Sequence, residues 1–149
     1  MKNSLIVMTG ILTIVVAGVV VNAHVTVGPT ESRLGASERY TVRVPTEGQT
    51  ATIGVDLEVP EGVTVSYVLA SSGWTSELRR VEKRVVGISW KVEIPPSHFG
   101  ELVFNARNPK EGAAIAWKIK QRFADGTSSD WTSNTKLVAA TAPTVVADR

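Results

Sequence analysis

Ile53-Gly54-Val55-Asp56-Leu57-Glu58-Val59, closed by Pro60-Glu61-Gly62, carries an apolar side chain at every second position and then a turn. Successive side chains of an extended strand point to opposite faces, so Ile53, Val55, Leu57 and Val59 share one face and Gly54, Asp56 and Glu58 the other. One face suits a core and the other suits water. The same period runs outward in both directions. Tyr40, Val42 and Val44 alternate with Thr41 and Arg43 ahead of Pro45, and Val63, Val65 and Tyr67 continue beyond the Pro60 turn. Further along come Val86-Gly87-Ile88-Ser89-Trp90-Lys91-Val92, Leu102-Val103-Phe104 and Ile115-Ala116-Trp117-Lys118-Ile119-Lys120. Ser71-Ser72-Gly73, Pro95-Pro96, Asn108-Pro109 and Asp125-Gly126 break the runs with residues that favour turns. No amphipathic helical period is evident after residue 23. The pattern predicts an all-β fold, an antiparallel β-sandwich of immunoglobulin-like architecture. Trp74, Trp90 and Trp117 read as core residues, because large aromatics on alternating strands bury much area.

The chain of 149 residues is sized for one domain. It has no cysteine, so neither a disulfide framework nor a thiolate metal site is available. Its formal charge is +2, and Lys2 is the one charged side chain ahead of His24, which leaves 15 basic against 14 acidic residues from there on. So even a balance offers no electrostatic footprint for nucleic acid or an anionic membrane surface. No Ser-His-Asp set and no phosphate-cradling glycine loop stands out, so hydrolase chemistry has no visible carrier.

Met1-Lys2-Asn3-Ser4 is a short basic start, Leu5 to Val21 is an uncharged apolar run, and Val21-Asn22-Ala23 ends in a small residue. This is the form of an export signal cleaved after Ala23. The competing reading is an uncleaved membrane anchor, since the run approaches spanning length. Residues 1–23 are thus expected to be a signal peptide, 24–138 the folded domain, and 139–149, rich in Ala, Thr and Val, a loose tail. The expected location is outside the cytoplasmic membrane, with no further membrane span after cleavage.

Cleavage there makes His24 the first residue. Its free α-amine and its imidazole Nδ1 can then chelate one metal ion, and two donors on one residue need little extra ordering. Nitrogen donors completed by a carboxylate suit copper(II). Both methionines, Met1 and Met8, precede His24, so no soft sulfur ligand for copper(I) remains. The plainer alternative is that His24 is whatever residue comes after the cleavage point.

His24-Val25-Thr26-Val27-Gly28-Pro29-Thr30-Glu31 resembles the opening of the YcnI-like family of bacterial copper-binding domains. Tyr40-Thr41-Val42-Arg43-Val44-Pro45-Thr46-Glu47 is similar to that family's strand ending in a Val-Pro-x-Glu turn. Gly73-Trp74-Thr75, Ile88-Ser89-Trp90, and Gln121-Arg122-Phe123-Ala124-Asp125-Gly126 followed by Trp131 resemble its later motifs in order. The likeness runs from about Ala23 to Trp131. It implies a site called a monohistidine brace, whose matching positions are the amine and ring of His24, the carboxylate of Glu47, and Trp131 beside the metal. For Glu47 the alternative is a solvated turn carboxylate, and for Trp131 an aromatic that seals the sandwich edge. His98 departs from the family pattern. It is either a loop histidine or a second nitrogen ligand.

The resemblance implies a non-enzymatic copper(II) protein that traffics, takes up or buffers copper, with copper-trafficking or membrane copper-transport proteins as partners. Two other functions stay open at this point. One is an oxidative copper enzyme of the lytic polysaccharide monooxygenase kind, which would call on His98. The other is a metal-free module binding a surface polymer or protein, for which Trp74 is a candidate contact.

Overall fold

The structure is a computed structural model that describes residues 23–140. The expected signal peptide, Ala23 apart, and the tail beyond residue 140 lie outside the described residues.

Two sheets face each other. Thr26–Gly28 (β1), Ser37–Pro45 (β3), Phe99–Arg107 (β8) and Thr64–Val68 (β5) form the first, in the order β1-β3-β8-β5. Glu31–Arg33 (β2), Ser128–Val138 (β10), Ala114–Phe123 (β9), Thr52–Glu58 (β4), Arg84–Ile94 (β7) and Thr75–Val81 (β6) form the second, in the order β2-β10-β9-β4-β7-β6. Every pairing is antiparallel except β2 with β10, which is parallel. The expected all-β sandwich is therefore the observed one, with one parallel edge added. No helix occurs among the described residues.

The core lies between the sheets where the period-two reading puts it. Tyr40, Val42 and Val44 of β3, Val55 and Leu57 of β4, Ile88 and Trp90 of β7, and Ile115, Trp117 and Ile119 of β9 are all buried. Tyr40 stacks on Phe104 at 5.5 Å, and the edge of Trp117 meets both rings. Trp90 and Trp117 are core residues, as expected. Trp74 is only partly buried and packs against the core from the open mouth between β5 and β6.

Three apolar residues depart from the alternation, each beside a break in strand register. The first is Val86, half-buried where the pairing of β6 with β7 shifts between Arg79 and Arg80 and Val85 takes the core position. The pairing of β4 shifts between Thr52 and Gly54, and Ile53 is turned outward at 41% exposure. The pairing of β5 shifts between Val65 and Tyr67, and Tyr67 stands 76% exposed. A bulge inserts one residue on one strand and so turns the next side chains to the opposite face. At β4 it also lets the guanidinium of Arg122 lie flat over Gly54, where any Cβ would come within 2.5 Å of it. From there Arg122 Nε donates to Asp56 Oδ2 at 2.9 Å.

Candidate metal centre

One end of the sandwich gathers three loops: residues 46–51 between β3 and β4, 95–98 between β7 and β8, and 124–127 between β9 and β10. Main-chain hydrogen bonds hold them side by side. Thr46 N donates to His98 O at 2.8 Å, Ser97 N to Thr46 O at 2.9 Å, and Ala124 N to Ala51 O at 3.0 Å. The last loop is a tight hairpin in which Gly126 takes a left-handed φ of 86°. There Asp125 Oδ1 accepts from both the hydroxyl and the amide of Thr127, and these bonds hold the Asp125 carboxyl below its ordinary pKa.

The start of the domain comes to the same end. Val25 and Val27 are sunk in the core, and Val27 N donates to Ser133 Oγ at 2.9 Å, which fastens β1 across to β10. His24 is left on the exposed rim. Its ring meets the indole of Trp131 edge-on, with centroids 5.2 Å apart and planes at 79°. Glu47 is exposed, and its Oε1 accepts from the amide of Ala23 at 2.6 Å. The fold thus brings His24, Glu47 and Trp131 to one place. Along the chain Glu47 lies 23 positions beyond His24, and Trp131 a further 84, so strand pairing alone unites the three.

A buried side chain that enters the sequence pattern only as a motif letter links the parts. Gln121 is 1% exposed, and its Oε1 accepts from Trp131 Nε1 at 3.0 Å. Its Nε2 donates to Pro45 O at 2.9 Å and to Thr52 Oγ1 at 2.8 Å. Thr52 Oγ1 in turn lies 2.6 Å from Thr46 Oγ1, and both threonines are buried. A polar residue on the inward face of a strand whose neighbours there are Ile119 and Trp117 was the available signal, because a buried amide is kept only where it is bonded.

His98 sits on the adjoining loop, exposed, with its Nδ1 2.9 Å from Pro96 O. That carbonyl can only accept, so Nδ1 carries the proton. Among the described residues no three His, Asp or Glu side chains cluster as a metal-holding group. A metal at this end would therefore draw on main-chain nitrogen as well as on the His24 ring and Glu47. Cleavage after Ala23 would turn the residue-24 nitrogen into a free amine one position from the amide that Glu47 now accepts. Two nitrogens and a carboxylate oxygen fit copper(II).

The architecture is that of an immunoglobulin-like sandwich. A Nocardia farcinica protein whose crystal structure reveals an immunoglobulin-like fold superposes with a TM-score of 0.70 at 21% identity, over 77% of this chain and 98% of that one. A cohesin module from a Clostridium perfringens family 33 glycoside hydrolase gives 0.55 at 15% identity, over 79% of this chain and all of that one. Residues 24–146 match the family described as "Domain of unknown function (DUF1775)", and the chain belongs to that family, the YcnI family its motifs resemble. It is also 31% identical over 116 residues to the copper-binding protein CutI of Bacillus subtilis (strain 168), across 76% of this chain. The match spans 57% of that relative's length.

Proposed function

We propose that this protein is exported, is cleaved after Ala23, and binds one copper(II) ion through the amine and ring of His24 and the carboxylate of Glu47, with Trp131 beside the metal. The observation that carries the reading is the 2.6 Å hydrogen bond from the Ala23 amide to Glu47 Oε1, made while the His24 ring rests against Trp131. Similarity to a copper-binding relative supports the choice of metal.

The chain's own groups divide the work. Glu47 supplies a hard anionic oxygen that offsets copper(II) charge. The indole of Trp131 is a poor ligand but a bulky wall, so it limits the approach of water and reductant to one side of the ion. His98 donates its Nδ1–H to Pro96 O and so keeps Nε2 free. The preference for a one-histidine site over a two-histidine oxidative enzyme rests instead on Glu47 and Trp131 standing beside His24. The role is binding, in extracytoplasmic trafficking, uptake or buffering of copper, with copper-transport or trafficking proteins as partners.

Intact-mass measurement on protein recovered after export, followed by a copper(II) titration, tests this. The expected result is a chain starting at His24 that binds one equivalent, with binding lost in His24→Ala. A correctly cleaved chain that takes up no copper, or binds it equally well without His24, would overturn the proposal.

A further inference from the structure

Gln121 bonds to Trp131 and to both roots of the loop that carries Glu47, without touching Glu47 or His24 itself. Pro45 is the last residue of β3 and Thr52 the first of β4, so its Nε2 holds both roots of the loop that carries Glu47. Its Oε1 holds the indole of Trp131. The orientation of the amide is unambiguous, because an indole N–H only donates and a proline carbonyl only accepts. Packing gives no reason for an amide here. Ile115, Trp117 and Ile119 precede it on the same face of β9, and an apolar residue would continue that row.

We infer that Gln121 is a positioning residue that fixes the Trp131 indole and the Glu47 loop relative to each other as one unit, and through them sets the geometry in which copper(II) is held. The hairpin makes this possible. Gln121 pairs with Ser129 across β9 and β10, and Trp131 pairs with Ile119, so Gln121 and Trp131 are diagonal neighbours on the inward face. Rotation of the indole away from His24 would break its bond to Gln121. Displacement of the loop would strain the two donor bonds of the same amide. The metal-related part of this inference rests on the copper proposal, whereas the clamp itself can be measured without metal.

The test uses Gln121→Met, which keeps length and loses every polar bond, and Thr52→Val, which keeps shape and releases only the loop. Hydrogen exchange of the Trp131 indole N–H is followed in metal-free protein by nuclear magnetic resonance. Gln121→Met is expected to speed that exchange at least about ten-fold while Thr52→Val leaves it slow. In protein beginning at His24, Gln121→Met is expected to weaken copper(II) binding about ten-fold and to alter the copper hyperfine coupling seen by electron paramagnetic resonance, with a smaller loss, about three-fold, in Thr52→Val. Wild-type exchange in a cooperatively folded Gln121→Met protein would overturn the clamp. Faster exchange with unchanged copper affinity and spectrum would overturn its link to the metal. If Gln121→Met does not fold, wild-type copper affinity in Thr52→Val would count against the inference. Absence of copper binding by the wild type, with the exchange results as expected, would sink the function and leave the clamp standing.

Discussion

The two ends of the sandwich each hold a buried polar network, and the networks differ in where they stop. At the end away from His24, Tyr40 OH donates to Asn108 Oδ1 at 2.6 Å, and Asn108 Nδ2 donates to Ser32 Oγ and to Arg33 O. Ser32 Oγ donates in turn to Glu38 Oε2 at 2.7 Å. Tyr40, Asn108 and Ser32 are all buried, and the bonds tie β2 and β3 to the end of β8. That network ends on Glu38, a half-buried carboxylate within the same crossing of β2 and β3. At the His24 end, Thr46, Thr52 and Gln121 are buried in the same way, but the network runs out to a half-buried indole and a loop carrying an exposed carboxylate. Buried polar groups of one chemical kind thus serve two purposes, one to lock a chain crossing and one to aim groups at the solvent.

Variants can break this contrast, and the largest expected effect is at the end away from His24. Asn108→Ala removes three hydrogen bonds and leaves Tyr40 OH unpaired in the core. A loss of about 3 kcal/mol is expected, a Tm lower by about 10 °C, with copper affinity unchanged. Differential scanning calorimetry with a parallel copper titration checks both halves. Equal loss of copper binding would erase the distinction between the ends.

Glu47→Ala is the converse case. The residue is exposed and its removal leaves no buried group unpaired, so Tm should move by no more than about 2 °C. Copper(II) affinity should fall between about ten- and a hundred-fold, about 1.4–2.7 kcal/mol. A competition assay against a chelator of known affinity reads that change. A large fall in Tm with little change in affinity would reverse the assignment of the two ends.

Tyr40→Phe is the smallest effect, about 1 kcal/mol near neutral pH. Burial, the main cause, pushes the Tyr40 phenol above its ordinary pKa of 10.0. The folded state therefore keeps this proton after the unfolded chain has lost it, and the stability contributed by Tyr40 is intact below pH 10 and is lost as pH rises from there through the folded-state pKa. Urea unfolding across that range should show a steeper alkaline loss in the wild type than in Tyr40→Phe. Identical slopes would mean that the phenol is not held protonated by the fold.

Most of the sandwich was legible because a two-sided strand needs an apolar residue at every second position, and Tyr40, Val42, Val44, Val55 and Leu57 obey that need. Ile53 and Tyr67 did not, since a bulge is a property of strand pairing and leaves no mark on one strand's own pattern. Strand β6 was invisible for a different reason: all seven of its residues are exposed at a sheet edge, so nothing selects for alternation. At the candidate centre, His24 could be read from its place after the apolar run, while Glu47 and Trp131 came only through resemblance to a family. The role of Gln121 was hidden, because its partners lie 10, 69 and 76 positions away.

The central claim is that the residue-24 nitrogen must be a free amine for the copper(II) site to exist. Copper(II) affinity compared between protein beginning at His24 and protein retaining Ala23 tests it directly, at one pH and with one competing chelator. The account predicts that retaining Ala23 weakens binding at least about a hundred-fold, because one of two nitrogen donors is then tied up in a peptide bond. Equal affinity in the two proteins would contradict it.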